Sequence, residues 1–155
     1  MYSAAIPTMN TPFDESRART SVGRAYDEGA SSSERTYALF THLVGLVSLS
    51  SGGVPLLGLI GTIIMWRIKA AESPFLDDHG REATNFQLSL ILYTILGVVF
   101  TVVTLGFGAL LSVPGMIVMI VLAIIGQVRG AMAANRGEFY RYPCCVRFIK
   151  DPDAV

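Results

Sequence analysis

ATNFQLSLILYTILGVVFTVVTLGFGALLSVPGMIVMIVLAIIGQV, residues 83–128, runs for 46 residues without one Asp, Glu, Lys or Arg. A second such run, Thr36 to Trp66, covers 31 residues. A transmembrane helix needs only ~20 consecutive apolar residues, so each run suits a helical hairpin. Of the 155 residues, 52% are hydrophobic and only 15% charged, against roughly a quarter charged in a soluble domain. An ordinary soluble enzyme is excluded. So is a nucleic-acid binder built on net charge, because 12 Lys and Arg balance 12 Asp and Glu.

Turn residues divide the runs. Gly106-Phe107-Gly108 to Pro114 breaks the longer one into spans over about 82–106 and 114–135, with Gly137 suited to the position after the last helix. Ser51-Gly52-Gly53-Val54-Pro55 breaks the shorter one into spans over about 32–50 and 55–71. These first two are short for a ~30 Å hydrocarbon core, so they form either two short spans or a deep hairpin that thins the bilayer. Ser31 and Glu34 have capping-box spacing, and Ser73-Pro74 reads as a second helix start. The segment from Phe75 to Gly80 is expected at the interface, ahead of the third span. Residues 1–31, rich in Ser, Thr, Pro and charge, read as a disordered cytoplasmic tail. They contain no apolar stretch of a secretory signal, so insertion through the first span, uncleaved, is expected. Residues 138–155 read as an interfacial tail in which Pro143 stops helix continuation. The expected fold is all-α: an integral membrane four-helix bundle over 32–137, built of two hairpins.

Charge sets the orientation. Arg17, Arg19, Arg24 and Arg35 precede the first span, Arg67, Lys69 and Arg81 flank the middle loop, and Arg129, Arg136, Arg141, Arg147 and Lys150 lie at or beyond the end of the fourth. The opposite turns, 50–55 and 106–114, carry no basic residue. The positive-inside rule puts both termini and the middle loop in the cytoplasm of a multi-pass bacterial inner-membrane protein.

The residues that could carry chemistry cluster at that face. Asp78, Glu82, Asn85 and Ser89 form one helical stripe, and Asp77 precedes Arg81 by four in the favourable order for an ion pair. For Asp77, Asp78 and Arg81 a capped, solvated helix start is the favoured reading; His79 lies among them. Glu82, Asn85 and Gln87 enter the membrane, where unpaired polar groups are costly. His42, Gln127 and Arg129 reach a similar depth and complete a polar layer, with Arg129 expected to pair with Glu82 or Asp78. Interhelical packing is the commoner use of such residues; a proton or solute path with His42 and Glu82 titrating is the competing one. Small residues at Gly126, Gly130 and Ala134 suit close packing, within the chain or between copies. In the tail, Glu138, Tyr140, Arg141, Tyr142 and Pro143 interleave rings and charge as interfacial anchors do.

Enzyme signatures are missing from the sequence. His42 and His79 are the two histidines, and neither a nucleophile elbow nor a phosphate-binding fingerprint occurs. Adjacent Cys144 and Cys145 imply neither a disulfide framework nor a zinc site. No metal, cofactor or nucleic-acid partner is expected.

Three stretches resemble a known family: Glu34-Arg35 with Ala38, His42-Leu43 and Gly45; Ser73-Pro74-Phe75 and Asp77 to Ala83 with Asn85-Phe86-Gln87; and Arg136-Gly137-Glu138 with Tyr140-Arg141-Tyr142-Pro143. Over about 34–149 the chain is similar to a bacterial four-helix membrane family of unknown function, grouped with the roughly twenty-kilodalton Tic component of the chloroplast inner-envelope import translocon. The N-terminal extension and Cys144-Cys145 depart from that pattern. The resemblance implies four helices, both termini inside, and membership of a larger membrane assembly. The expected function is thus a non-enzymatic, Tic-like subunit or scaffold whose partners are the lipid bilayer and other integral membrane proteins or further copies of itself. The alternative is a small transporter or channel with a polar path through the cytoplasmic half.

Overall fold

The computed structural model describes residues 17–19, 25–47 and 55–150. It is predominantly helical. Two short antiparallel strands, β1 (Arg17–Arg19) and β2 (Ala25–Asp27), precede α1 (Ser32–Leu43), which continues as a single 3-10 turn over Val44–Leu46. Then come α2 (Pro55–Lys69), α3 (Pro74–Val103) and α4 (Ala109–Asn135).

Local chemistry explains each boundary. Ser31 caps α1: its side chain accepts from the Glu34 N–H, and the Glu34 carboxylate accepts from the Ser31 N–H at 2.7 Å. The hydrogen bond from the Ser31 hydroxyl is the main reason the Glu34 carboxyl sits below its ordinary pKa. Ser73 caps α3 with Pro74 in the first turn. At the far end of α4, Gly137 takes φ +78°, the Glu138 N–H donates to the Ala133 carbonyl and the Gly137 N–H to that of Ala134. This is the Schellman arrangement, and it turns the tail back along the bundle.

Several bounds differ from the sequence expectation. α3 is one helix of 30 residues starting at Pro74, so the segment from Phe75 to Gly80 is not a separate interfacial piece. α4 starts at Ala109, and Pro114 lies inside it. Thr104 Oγ1 accepts from the Gly108 N–H at 2.7 Å, which lets the helix begin early. Residues 25–31, expected in a disordered tail, are ordered: the Asp27 N–H donates to the Gly137 carbonyl and the Phe139 N–H to that of Ala25, so β2 is held by the start of the C-terminal tail. The expected turn at 51–54 lies outside the described residues.

The helices make two zones. α1 packs on α3 and α4, and α2 packs on α3. Phe75 to Ser89 of α3, the last third of α4 and the C-terminal tail surround a buried interior: the head. Beyond it α3 and α4 continue as a hairpin with bare apolar sides. Their most apolar 18-residue windows have mean hydropathy 2.2 and 2.6, and only 17% and 11% of each is buried. Core helices of a soluble protein would be covered, so these two suit lipid. At ~1.5 Å per residue α3 is about 45 Å long, more than a ~30 Å core requires. α1 and α2 reach only about 18 and 22 Å. Of the four expected spans, only α3 and α4 are long and apolar enough among the described residues.

Gly80 allows α2 and α3 to touch. A Cβ there would lie 2.7 Å from the Trp66 Cβ, too close to relieve by rotating a side-chain end. Gly80→Ala is expected to lower stability in detergent by about 1–3 kcal/mol, read as a drop in Tm. Gly115→Ala, where nothing lies within 4 Å, is expected to leave Tm unchanged or raise it slightly.

Candidate functional site: a polar head closed by the C-terminal tail

The α3 stripe is the backbone of the site, and each member holds a different part of the tail. Asp78 accepts two bonds from Arg141, both 2.6 Å. Glu82 accepts the Tyr142 N–H at 2.8 Å and the Arg147 guanidinium at 3.2 and 3.3 Å. Asn85 accepts from the Ile149 N–H at 2.8 Å and donates to the Ile149 carbonyl at 2.9 Å. Ser89 Oγ accepts from the Val146 N–H at 2.9 Å. The stripe thus acts as a row of side-chain partners for a chain segment that has no helix or strand of its own.

A second set of contacts lies under the tail. His42 Nδ1 is 2.7 Å from the Tyr142 hydroxyl, and His42 Nε2 is 2.8 Å from His79 Nδ1. His42, His79 and Tyr142 are 1%, 0% and 3% exposed. Burial holds the Tyr142 hydroxyl well above its ordinary pKa, so it stays protonated. The arrangement that uses its proton has Tyr142 donating to His42 Nδ1, His42 Nε2–H donating to His79 Nδ1, and the last proton on His79 Nε2. That nitrogen is buried without a hydrogen bond among the described residues, although the Glu138 main chain is near enough to act on the ring. Phe75 and Phe139 pack against His79, with ring centroids 4.4 and 6.0 Å away. Phe86 stacks on Tyr142 at 3.9 Å.

The remaining expected residues fall around this core. Gln87 donates to Gln127 at 3.5 Å, both buried, and Gly45 leaves the space those amides occupy. Asp77 pairs with Arg81 and accepts the Trp66 indole N–H at 2.7 Å. Glu138 pairs with Arg136 at 2.9 Å. Tyr140 lies edge-on to Tyr142, 5.1 Å between centroids. Pro143 is exposed beside an apolar groove that Arg129 also lines.

Three expectations are corrected by this geometry. Asp78 and Arg81 are 5% and 8% exposed, so the start of α3 is buried rather than solvated. The tail covers it. Arg129 does not pair with Asp78 or Glu82; those acids bind Arg141 and Arg147, and Arg129 is exposed. Tyr140 and Tyr142 are 8% and 3% exposed, so they fill the head instead of anchoring in lipid headgroups. The small-residue face of α4 is used within the chain. A Cβ at Gly130 would lie 2.9 Å from His42 Nδ1, and one at Gly126 would lie 3.2 Å from the Tyr142 ring. Sequence reasoning missed Arg147, Val146 and Ile149. The unfilled bonding capacity of the stripe was the signal that a further segment must cover it. Cys145, with its thiol pKa raised by burial, lies 3.7 Å from Ser89 Oγ.

Removing Glu82 leaves a main-chain N–H and an arginine without their acceptor. Glu82→Ala is expected to lower stability by about 1.5–3 kcal/mol, the range for hydrogen bonds to charged groups. Hydrogen exchange at the Tyr142, Val146 and Ile149 amides is expected to accelerate together, with little change in the α3–α4 hairpin.

Residues 33–149 match the family described as the magnetosome magnetite crystal formation protein family, MamF/MmsF. No curated protein matches the chain, and no solved structure does. The match overturns the resemblance to the Tic-like family. The stretches that suggested it are the capped, acid-bearing start of α3 and the aromatic–arginine tail. Their partnership closes a polar head, a requirement that does not distinguish one membrane family from another. This is a membrane protein, and the chain belongs to the MamF/MmsF magnetosome magnetite crystal formation family.

Proposed function

We propose that this protein is a non-enzymatic integral subunit of the magnetosome membrane, and that it takes part in magnetite crystal formation by organising other membrane proteins or copies of itself. The family description supplies the process. The observation that carries the mode of action is the division of the molecule: a closed head in which Asp78 and Glu82 are bound by arginines of the same chain, set on a hairpin whose sides are bare and apolar. Such a molecule presents surfaces, not a reaction centre. The α3–α4 hairpin crosses the bilayer, and the basic residues keep the head and both termini on the cytoplasmic side. α1 and α2 brace the head and enter the bilayer from that side, too short to cross it unaided.

The transporter reading is less well supported. The cleft beside Asp78, Glu82, Asn85, Arg141 and Arg147 measures about 50 Å³, room for a few waters. A solute path would need the tail to leave the stripe, at the cost of its ion pairs.

In the source bacterium, deletion of this chain is expected to change magnetite crystal size or number, seen by electron microscopy, while membrane compartments persist. Wild-type protein is expected to restore the crystals and Glu82→Ala to do so incompletely. Unchanged crystals after deletion would remove the role in crystal formation. Recovery of a lone monomer in mild-detergent pull-downs would remove the role as a subunit.

A further inference from the structure

A groove of about 470 Å³ runs along the outside of the α3–α4 pair and under the tail. Sites for small organic ligands span ~300–1,000 Å³, so this groove holds more than ordinary surface roughness. Its walls are apolar over most of their length: Phe86, Leu90 and Tyr93 on α3, and Val118 and Leu122 on α4. Arg129 stands at the head end, exposed. It is the one charged residue lining the groove among the described residues.

From Gly115 to Arg129, both lining residues, the groove follows α4 for about 21 Å at ~1.5 Å per residue. One leaflet of hydrocarbon is about 15 Å deep, half of a ~30 Å core. The groove therefore has the length of an acyl chain and points from the head toward the bilayer interior. Its single cation sits where the headgroup level meets the head. The nearby carboxylates are engaged: Asp78 holds Arg141 and Glu82 holds Arg147. An exposed arginine with a guanidinium fork and no ion pair among the described residues suits a phosphate. Gly115 on the α4 wall, where a Cβ would meet nothing within 4 Å, leaves room for a tail lying flat against the helix.

We propose that this groove is a specific site for one anionic glycerophospholipid of the surrounding bilayer. An acyl chain lies between α3 and α4, and the phosphate accepts hydrogen bonds from Arg129. The bound lipid covers the exposed Pro143 and Cys144 from outside, and so links the lipid composition of the membrane to the closure of the tail over the α3 stripe. The proposal rests on the membrane-embedded reading above and on no particular role in crystal formation.

The test uses the full-length chain in mild detergent, exchanged with phosphatidylglycerol or phosphatidylcholine and read by native mass spectrometry. One retained phosphatidylglycerol is expected, with at least tenfold weaker retention of phosphatidylcholine. Arg129→Gln is expected to remove that preference and Arg129→Lys to restore part of it. Val118→Trp, which fills the groove, is expected to reduce retention of both lipids. Equal retention of the two lipids, or a preference that survives Arg129→Gln, would overturn the proposal. So would a groove occupied by a second copy, seen as cross-linking across Val118 that added lipid does not compete away. Helical content by circular dichroism and partition of each variant into membranes report separately on the embedded reading, which survives if only lipid selectivity is lost.

Discussion

A helix that carries Asp78, Glu82, Asn85 and Ser89 on one buried stripe and then continues as a long apolar span needs partners for every polar group on that stripe. This constraint governs the rest of the molecule. The partners come from the chain's own C-terminal segment: guanidinium groups of Arg141 and Arg147, and main-chain groups of Tyr142, Val146 and Ile149. That segment is irregular, with Cys144 at φ +56°. Its own N–H and carbonyl groups need partners as much as the stripe does. Two sets of polar groups, each costly alone, satisfy one another. The Schellman turn at Gly137 makes this possible by sending the tail back over the helices that precede it.

The other elements follow from that closure. Gly126 and Gly130 are small because Tyr142 and His42 occupy the space above them. β2 is ordered because the tail's first residues offer it main-chain partners. α1 brings His42 beneath Tyr142 and against His79, so the first hairpin has a task in the head whether or not it crosses the bilayer. The apolar α3–α4 hairpin then needs few internal polar contacts. It has a clip near its tip, where the Thr101 hydroxyl reaches the Ser112 hydroxyl at 3.1 Å and the latter reaches the Gly97 carbonyl at 3.1 Å. The polar contacts are thus gathered inside the head, and the outer faces of the hairpin are apolar and uncovered.

Much of this was legible in the residues. The long uncharged run marked the hairpin, Ser31 and Glu34 marked the first cap, Ser73-Pro74 the second, and Gly137 the last turn. The stripe from Asp78 to Ser89 was visible as a periodicity. Its partners were not, because the tail from Arg141 to Ile149 has no period, and pairs separated by some 60 residues leave no local signal. Arg129 was a natural partner for the acids by depth, yet depth ignores azimuth: Arg129 lies on the exposed side of α4, whereas Gln127 and Gly130 face inward. The aromatic–arginine tail was read as an anchor since rings and charge at a membrane edge usually are one. Family identity was the least legible, as the same polar closure can serve different membrane proteins.

Closure of the tail over α3 can be measured as a distance between sulfur atoms. Cys145 Sγ lies 3.7 Å from Ser89 Oγ, near enough for a Ser89→Cys variant, with Cys144→Ser to remove the competing thiol, to form a disulfide under mild oxidation. A complete intramolecular bond is expected in the membrane-embedded protein, seen as the loss of two thiols with no change in oligomeric mass. Two thiols that both remain open to alkylation after oxidation would contradict it.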